Sequence, residues 1–305
     1  MKSFLVLVFL FLSILISPVF SKHNVGFHPK ARKISENIYS MGTTDWNGYK
    51  NVQTIAFVKT IEGSQSYGLY PEMKGFTELS CCSFIAPGSK WREPATFLVD
   101  PTNPQGLSNT FVMNAITGAT TAWDDAVSFN IYGSITQQIF GETPSVTSPD
   151  GQNVKLFADL NDIGGLNPNS VIAVTFLHGI FGGNSLTNEI LEADVVYNTV
   201  FVYGNGNSNS GVMDLQAIAA HEEGHVCGLG HTDTSLSCAE NTMFPTAVYG
   251  ETKKRTPEED DITCIRTLYL EPGFDLPPNF ASAASKTEIA GMTTMIVLLI
   301  SLFLN

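Results

Sequence analysis

The stretch HEEGHVCGLGH, residues 221–231, contains three histidines and two glutamates and decides how the rest of the chain is interpreted. In a helix, His221 and His225 lie on one face because they are four residues apart, so both imidazoles can bind one metal ion. Gly228 falls where the helix must end, since a residue without a Cβ readily turns the chain. His231 can then return to the same ion. Three imidazoles with an open fourth position are typical of a catalytic zinc site.

The other polar residues of this stretch are assigned by the same helical geometry. Glu222 lies beside the two helical ligands and is the candidate general base. Glu223 is rotated away from them, which favours a solvated or supporting group over a catalyst. Cys227 lies six residues after His221, more than about 100° from the ligand face, and should point into the core. The alternative is a closed zinc site that only braces the fold, but such sites seldom leave a coordination position open.

The composition of the chain is that of a globular protein. It has 305 residues, 43% of them hydrophobic and 15% charged, which is enough to bury the core of one large domain. The formal net charge is −13. No nucleic-acid partner is expected, because neutralising phosphates requires clustered Lys and Arg.

Both ends of the chain carry apolar stretches that are typical of targeting signals. Residues 1–21 combine Lys2 with an apolar run and end in Ser21, as a secretory signal peptide does, and the run is shorter than the ~20 residues of a membrane span. Residues 276–305 place small residues at 282–284 before a polar spacer and an apolar tail, which predicts a glycosylphosphatidylinositol attachment signal. An uncleaved membrane helix and a buried helix are the alternatives. We therefore expect a secreted, cell-surface anchored protein.

Between these signals the chain divides near residue 90. Residues 22–89 form an N-terminal segment of unknown role, with a removed propeptide as one interpretation. Up to residue 79 they are rich in Gly, Ser, Tyr and Asn, lack a helical period, and indicate loops and short strands. Residues 90–275 are predicted to form the catalytic domain. Their patterns indicate strands at 95–100, 154–160, 170–177 and 193–202, and helices at 108–127, from Asp214 through the opening stretch, and from Pro257 to 270.

Four stretches together resemble the metzincin metallopeptidases, and within them the matrixin-like branch with its short secreted microbial members. They are the opening pattern H-E-x-x-H-x-x-G-x-x-H, KWREPATFLVD at 90–100, EADVVYN at 192–198 and ENTMFP at 240–245. The resemblance runs from about residue 90 to 269. It implies an α+β fold of the metzincin-type zincins, with a twisted, mostly parallel sheet, a central zinc-binding helix and a small C-terminal subdomain.

The resemblance also implies the roles of individual residues. One catalytic Zn²⁺ would be held by His221, His225 and His231, with Glu222 taking a proton from the attacking water. Met243 would belong to the methionine turn, which forms an apolar floor beneath the metal and does not ligate it. A core methionine would have the same sequence appearance, but the position twelve residues after His231 favours the turn.

A cleft between the two parts of such a domain takes an extended peptide, which pairs with an exposed strand edge. The segment 244–249 would line the pocket for the side chain after the scissile bond, with Pro245 and Tyr249 as candidate wall residues. The expected partner is therefore a protein or peptide substrate, cut at internal bonds. An exopeptidase would need a group that captures a chain terminus, and nothing in the sequence identifies one.

The remaining histidines and carboxylates limit which further metal sites the chain can form. His178 is the only other histidine in the body of the domain, so the three-histidine structural zinc site of animal matrixins cannot be built and one zinc is predicted. Ca²⁺ is a candidate for Asp159, Asp162, Glu192 and Asp194 in or beside Gly- and Asn-rich loops, although an ordinary solvated acidic loop is the favoured alternative.

Five cysteines in a secreted chain leave at least one outside intramolecular pairs. Cys238 and Cys264 bracket the methionine turn and the last helix, and we expect them to form a disulfide. Cys81 and Cys82 lie roughly where a matrixin propeptide cysteine would be, but ELSCCSFIAPG lacks the Pro-Arg-Cys-Gly signature. A structural thiol or disulfide is favoured there over a latency switch.

A second function from another class stays open. The chain could be a surface-tethered adhesion or matrix-binding protein that keeps the metzincin fold without turnover. The presence of Glu222 beside a complete ligand set favours the zinc endopeptidase, because a binding module has no need for a general base.

Overall fold

The computed structural model describes most of the chain between residues 32 and 270. The described residues are 32–35, 37–62, 81–86, 88–127, 129–162, 166–183 and 186–270. The predicted signal peptide at 1–21 and the predicted anchor at 276–305 lie outside them. Among the described residues, no helix has the length and apolar character needed to span a membrane.

The described elements form one large mixed sheet with helices packed against it, and a separate two-stranded parallel sheet. The strands are β1 (Arg32–Ser35), β2 (Ile38–Trp46), β3 (Tyr49–Ile61), β4 (Ala95–Val99), β5 (Tyr132–Gln137), β6 (Val154–Ala158), β7 (Val171–Ile180), β8 (Glu189–Asn198), β9 (Tyr203–Gly204), β10 (Met213–Asp214) and β11 (Thr246–Ala247). The helices are α1 (Asn109–Val127), α2 (Leu215–Val226) and α3 (Glu259–Leu270). The sheet order is β1-β2-β3-β7-β8-β6-β4-β5, with β11 paired to β3 beside this path. The predicted strands and helices of residues 90–270 are therefore present.

The sheet is mixed, and the expectation of a mostly parallel sheet is wrong for its N-terminal half. Strands β8, β6, β4 and β5 pair in parallel. Strands β1, β2, β3, β7 and β8 pair antiparallel, because the N-terminal segment adds a hairpin to the edge of β7. The hairpin turns at Asn47 and Gly48, both with positive φ, which is the geometry of a two-residue primed turn. Residues 22–79 thus contribute a strand of thirteen residues to the sheet instead of only loops and short strands.

Helix α1 packs behind α2 and begins as predicted. The Ser108 hydroxyl accepts a hydrogen bond from the Phe111 N–H at 3.2 Å, which satisfies one of the free donors of the first turn. Trp123 is fully buried, and its indole N–H donates to the Ala220 carbonyl at 2.7 Å. Trp123 therefore joins the two helices.

Helix α2 is bounded by the two residues that the sequence indicated. The Asp214 carboxylate accepts the Ala217 N–H at 2.9 Å, as an N-cap does. Gly228 has φ +105°, and a Cβ there would lie 2.3 Å from the Ser89 carbonyl oxygen. Only glycine fits this turn, so the chain can reverse directly after the helix.

The disulfides differ from the predicted one. Cys238 and Cys264 are not joined to each other, because each faces a different cysteine of the pair at 81 and 82. Cys81 bonds Cys238 with a Cα–Cα distance of 5.5 Å, and Cys82 bonds Cys264 at 5.6 Å. Successive side chains of an extended segment point to opposite sides, which lets neighbouring cysteines reach two elements. Cys227 is free and buried, in the core as predicted.

Candidate metal centre

The three predicted ligands converge on one point. Nε2 of His225 lies 3.2 Å from Nε2 of His221 and 3.0 Å from Nε2 of His231, and the third distance is 3.2 Å. Three nitrogens bound at about 2.05 Å to one tetrahedral ion lie about 3.3 Å apart. The donor set and its spacing therefore fit a zinc ion.

Contacts of the Nδ1 atoms with backbone carbonyls orient two of these rings. The Nδ1 atom of His221 lies 2.7 Å from the Thr242 carbonyl, and that of His225 lies 2.8 Å from the Leu229 carbonyl. A proton on each Nδ1 can donate to these carbonyls, which leaves the Nε2 lone pairs free for a metal. The Nδ1 atom of His231 has no hydrogen-bond partner among the described residues.

Burial keeps the three imidazoles neutral. It lowers the pKa of His225 to about 3, and it lowers the pKa values of His221 and His231 well below the usual value of 6.5. A neutral imidazole can coordinate a metal, whereas a protonated one cannot. The site thus holds its donors in the form that binds zinc.

Glu222 is buried next to the imidazoles with one oxygen unused. Its Oε2 accepts the Thr175 hydroxyl at 2.6 Å, while Oε1 has no partner among the described residues. Burial raises the pKa of Glu222 to about 8. A carboxyl with a pKa near neutrality can both accept and release a proton, which suits general acid–base work.

Glu223 faces the opposite side of α2 and is not solvated. Both of its carboxylate oxygens accept hydrogen bonds from Lys155 Nζ, at 2.7 and 2.6 Å, and neither side chain is exposed. The Lys155 ammonium also lies 3.6 Å from the centre of the Phe97 ring. Of the two expected roles, solvated or supporting, the structure excludes the solvated one, because Glu223 is buried and ties α2 to strand β6.

Met243 packs directly against α2, the helix that carries His221 and His225. A Cβ at Gly224 would lie 2.1 Å from the Met243 Sδ, so the two residues are in close contact. The turn is held by Asp261 of α3, whose carboxylate accepts the Thr242 N–H at 2.7 Å and the Met243 N–H at 3.3 Å. Asp261 lies in the first turn of α3 and was not among the predicted site residues.

The two candidate wall residues lie in different surroundings. The Pro245 carbonyl accepts the Thr60 N–H at 3.1 Å, and the next two residues form β11 against β3. Tyr249 is 44% exposed at the surface. The segment after Met243 therefore contacts the N-terminal segment of the chain.

Phe57 and Lys59, which were not predicted from the sequence, contact the three histidines. The Phe57 ring stacks on His225 with centroids 4.6 Å apart and meets His231 edge-on at 6.0 Å. Lys59 Nζ lies 3.2 Å from Nδ1 of His221 and donates to the Phe244 carbonyl. No local pattern could reveal them, because they reach the site only through the pairing of β3 with β7.

A second group of potential ligands lies in the sheet. His178, Glu192 and Asp194 have ligand atoms close enough to share an ion. Glu192 and Asp194 are buried in β8 and not in loops, which corrects part of the calcium prediction. Asp159 accepts the Asn161 N–H at 3.0 Å, and the Asp162 side chain is outside the described residues. A calcium site stays a prediction.

Comparison with known proteins supports the interpretation of the three histidines as a zinc site. The family model described as Matrixin matches residues 168–270, which include the whole candidate metal centre. This part of the chain is similar to matrixin-like metzincin domains. The chain is similar to Metalloendoproteinase 4-MMP of Arabidopsis thaliana, with 37% identity over 78 residues, or 25% of this chain and 21% of that protein.

A second relative covers slightly more of the domain. Metalloendoproteinase 2-MMP of Arabidopsis thaliana is 33% identical over 107 residues, or 31% of this chain and 27% of that protein. The matched region thus spans between a fifth and about a quarter of these two curated relatives. The resemblance to matrixin-like metzincins is confirmed, and it supports zinc-dependent peptidase chemistry for the matched part.

Proposed function

We propose that this protein is a secreted zinc endopeptidase that hydrolyses internal peptide bonds of extended protein substrates. The observation that carries the proposal is the convergence of three neutral imidazoles beside Glu222, whose Oε1 atom has no partner among the described residues. A site that only braced the fold would have no use for such a carboxylate.

His221, His225 and His231 would hold the zinc through Nε2. When bound, the zinc supplies a Lewis acid that polarises the substrate carbonyl and lowers the pKa of water. Glu222 accepts a proton from the attacking water at Oε1 and passes it to the amine of the leaving peptide. The Thr175 hydroxyl, 2.6 Å from Oε2, keeps the carboxylate oriented for this transfer.

The substrate would bind as an extended strand. The edge of β7 that β3 occupies in this structure would pair with the peptide backbone. The segment 244–249, with Pro245 and Tyr249, would line the pocket for the side chain after the cleaved bond. Met243 would support the centre from below as the methionine turn, consistent with its contact with α2.

We propose the same division of the chain into segments that the sequence indicates. Residues 1–21 are a signal peptide, 22–89 an N-terminal segment, 90–275 the catalytic domain and 276–305 a linker and anchor signal. The anchor is a lipid, with a single membrane helix as the alternative. One catalytic zinc is proposed, and calcium is an additional candidate ligand.

The decisive experiment measures zinc content and cleavage of an unstructured protein in parallel. Limited proteolysis first removes the part of the N-terminal segment before Cys81, since the disulfides of Cys81 and Cys82 hold the remainder, and mass spectrometry defines the products. Glu222→Ala should keep one equivalent of zinc and lose about two to four orders of magnitude in cleavage rate. His225→Ala should lose zinc and cleavage together, as a chelator should for wild type. A wild-type protein that holds zinc yet cuts nothing would favour the tethered binding protein instead.

A further inference from the structure

A buried lysine lies behind the segment 244–249, which is proposed above to line the substrate pocket. That segment begins close to the metal centre, because the Thr242 carbonyl lies 2.7 Å from Nδ1 of His221 and the segment starts two residues later. Lys254 follows the segment, in the short 3₁₀ helix Lys253–Arg255. The chain thus returns to the proposed pocket wall with a lysine.

Lys254 contacts two residues of this wall. Its Nζ donates to the Thr246 carbonyl at 3.1 Å and lies 5.0 Å from the centre of the Phe244 ring. The carbonyls on either side, those of Pro245 and Ala247, accept hydrogen bonds from β3 instead. Because successive carbonyls of an extended strand point to opposite edges, Lys254 lies on the edge of β11 that faces away from β3. A pocket that extends behind the wall would end at this ammonium.

The burial of Lys254 differs from that of the neighbouring lysine. The Lys254 side chain is 5% exposed, whereas that of Lys253 is 46% exposed. Lys253 Nζ pairs with Glu240 at 2.5 Å and lies 3.7 Å from Glu251. A lysine normally keeps its ammonium in water, so the inward direction of Lys254 requires acceptors inside the protein.

Among the described residues, the Lys254 ammonium has acceptors for two of its three N–H groups. Besides the Thr246 carbonyl, the acceptor is Oε1 of Glu251 at 3.2 Å, and Oε2 of Glu251 accepts the Val248 N–H at 3.4 Å. Burial lowers the pKa of Lys254 and Glu251 raises it, so a further acceptor would also favour the charged form. One donor is thus available for an oxygen atom that enters the pocket.

We propose that Lys254 is a specificity-determining residue, whose ammonium donates to an oxygen atom at the end of the substrate side chain that follows the scissile bond. This inference rests on the proposed function and names the substrate class, peptides with Glu or Gln at that position. A buried donor disfavours a side chain without an acceptor, because the donor then stays unpaired. Methionine has a similar length and no oxygen atom, so it is the matched poor substrate.

The alternative role of Lys254 is to brace the segment 244–249 without contacting the substrate. Loss of a brace would displace the segment and slow the cleavage of every substrate by a similar factor. Loss of a donor to the substrate changes the ratio between substrates. The ratio of kcat/KM values for side chains that differ in the acceptor therefore separates the two roles.

The test compares three peptides that differ only in the residue after the cut bond. A short peptide that the wild type cleaves is made with Glu, Gln or Met at that position, and mass spectrometry confirms the cut bond. The test variant is Lys254→Met, and the matched control is Lys253→Met, the same change at the exposed neighbour. Because the metal centre is buried beneath β3, each protein is measured as the full zinc-loaded chain and after the cut before Cys81.

We expect wild type and Lys253→Met to cleave the Glu and Gln peptides with kcat/KM at least about tenfold above that of the Met peptide. Lys254→Met should lose this preference and cleave the Met peptide at least as fast as wild type does. A preference that persists in Lys254→Met, or an equal slowing with all three peptides, would overturn the assignment.

Binding gives a readout that does not require turnover. The probes are three fluorescent hydroxamates that carry the Glu, Gln or Met side chain next to the zinc-binding group, so the metal fixes which side chain enters the pocket. The Glu and Gln probes should bind wild type and Lys253→Met more tightly than the Met probe. This difference should be absent in Lys254→Met, and its persistence there would also overturn the assignment.

Zinc content and a cooperative melting transition check that each variant is folded. If Lys254→Met fails either check, Lys254→Gln replaces it, because the amide can still donate to the Thr246 carbonyl while the charge is removed. A lower ratio of Glu-probe to Met-probe affinity in this variant supports the proposal, and an unchanged ratio overturns it.

The outcomes separate the two proposals. Ordered binding of the probes without cleavage of any peptide would overturn the peptidase and support Lys254 as the residue that selects the side chain. Cleavage without a preference for Glu or Gln would overturn the role of Lys254 and leave the peptidase intact. Neither binding nor cleavage, in full-length and cut protein alike, would overturn both.

Discussion

Lys155 of β6 and Glu223 of α2 form an ion pair inside the protein, with Nζ 2.6 Å from Oε2 and no exposed surface on either side chain. The pair lies behind the helix that carries the candidate zinc ligands. Two charges at this depth stabilise the fold only as a pair, because each alone carries a large cost of desolvation.

Removing one partner should therefore destabilise the protein strongly. We expect Lys155→Met to lower the free energy of unfolding by about 3 to 5 kcal/mol, since Glu223 is left buried without a counter-charge. Adding Glu223→Gln should recover part of this loss. The measurement is denaturant unfolding of the three proteins.

The exposed pair of Lys50 and Asp45 is the matched control. Its atoms are 2.7 Å apart, but the side chains are 76% and 56% exposed. Lys50→Met should lower the free energy of unfolding far less than Lys155→Met does, because water screens an exposed pair. An equal loss at Lys50 and Lys155 would contradict the importance of burial for this pair.

The close packing of Gly224 against Met243 makes a second prediction. Alanine normally stabilises a helix interior relative to glycine by about 1 kcal/mol. A Cβ at Gly224, however, would lie 2.1 Å from Met243 Sδ and 2.7 Å from the Trp123 ring. Gly224→Ala should lower the free energy of unfolding by about 1 to 3 kcal/mol and weaken zinc binding, as measured by denaturation and metal titration.

Gly118 of α1 offers a control for this substitution. There the nearest atom to a new Cβ is the flexible end of Gln216, at 2.9 Å, which can move aside. Gly118→Ala should be neutral or stabilising and leave zinc affinity unchanged. A neutral result at both glycines would show that the Met243 contact is not tight.

The third prediction concerns pH and Asp124. Its carboxylate accepts the Ile131 N–H at 2.7 Å and the Tyr132 N–H at 3.2 Å, and burial raises its pKa to about 7. Because the folded-state pKa exceeds the unfolded value of 3.8, the folded protein binds the proton more tightly, and this stability is lost as pH rises through 7. Asp124→Asn keeps an acceptor and removes the titration.

We therefore expect Asp124→Asn to be more stable than wild type by a larger margin at pH 8 than at pH 5, in thermal melts across that range. Asp125 is the next residue of α1 and is exposed. Asp125→Asn should follow the wild-type profile. A pH-independent difference for Asp124→Asn would exclude Asp124 as the group that titrates.

The fourth prediction concerns the disulfides. Peptide mapping without reduction should find Cys81 joined to Cys238 and Cys82 joined to Cys264, with Cys227 as a free thiol. Removal of one bridge with the double variant Cys82→Ala and Cys264→Ala should cost about 2 to 4 kcal/mol in unfolding free energy and simplify the map. A peptide linking Cys238 to Cys264 in the wild type would contradict the structure.

The sequence by itself predicted the features that depend on neighbouring residues. The spacing of His221 and His225 places them on one helix face whatever the rest of the chain does. Asp214 and Gly228 bound the helix because capping and left-handed turns are local. Asn47-Gly48 was an equally local hairpin signal that the sequence analysis overlooked, and it could have predicted β2 and β3.

Only the tertiary structure decided the contacts between distant segments. Sequence spacing does not reveal that Cys238 faces Cys81, that Glu223 is neutralised by Lys155, or that β3 lies over the metal centre. These depend on which strand covers the edge of β7 and on how α2 packs behind the sheet. Helical and strand periodicity determine which face of an element is apolar, but its partner is chosen by burial and hydrogen bonding across the whole fold. The ligand pattern could therefore be predicted from eleven residues, whereas closure of the site required the complete chain.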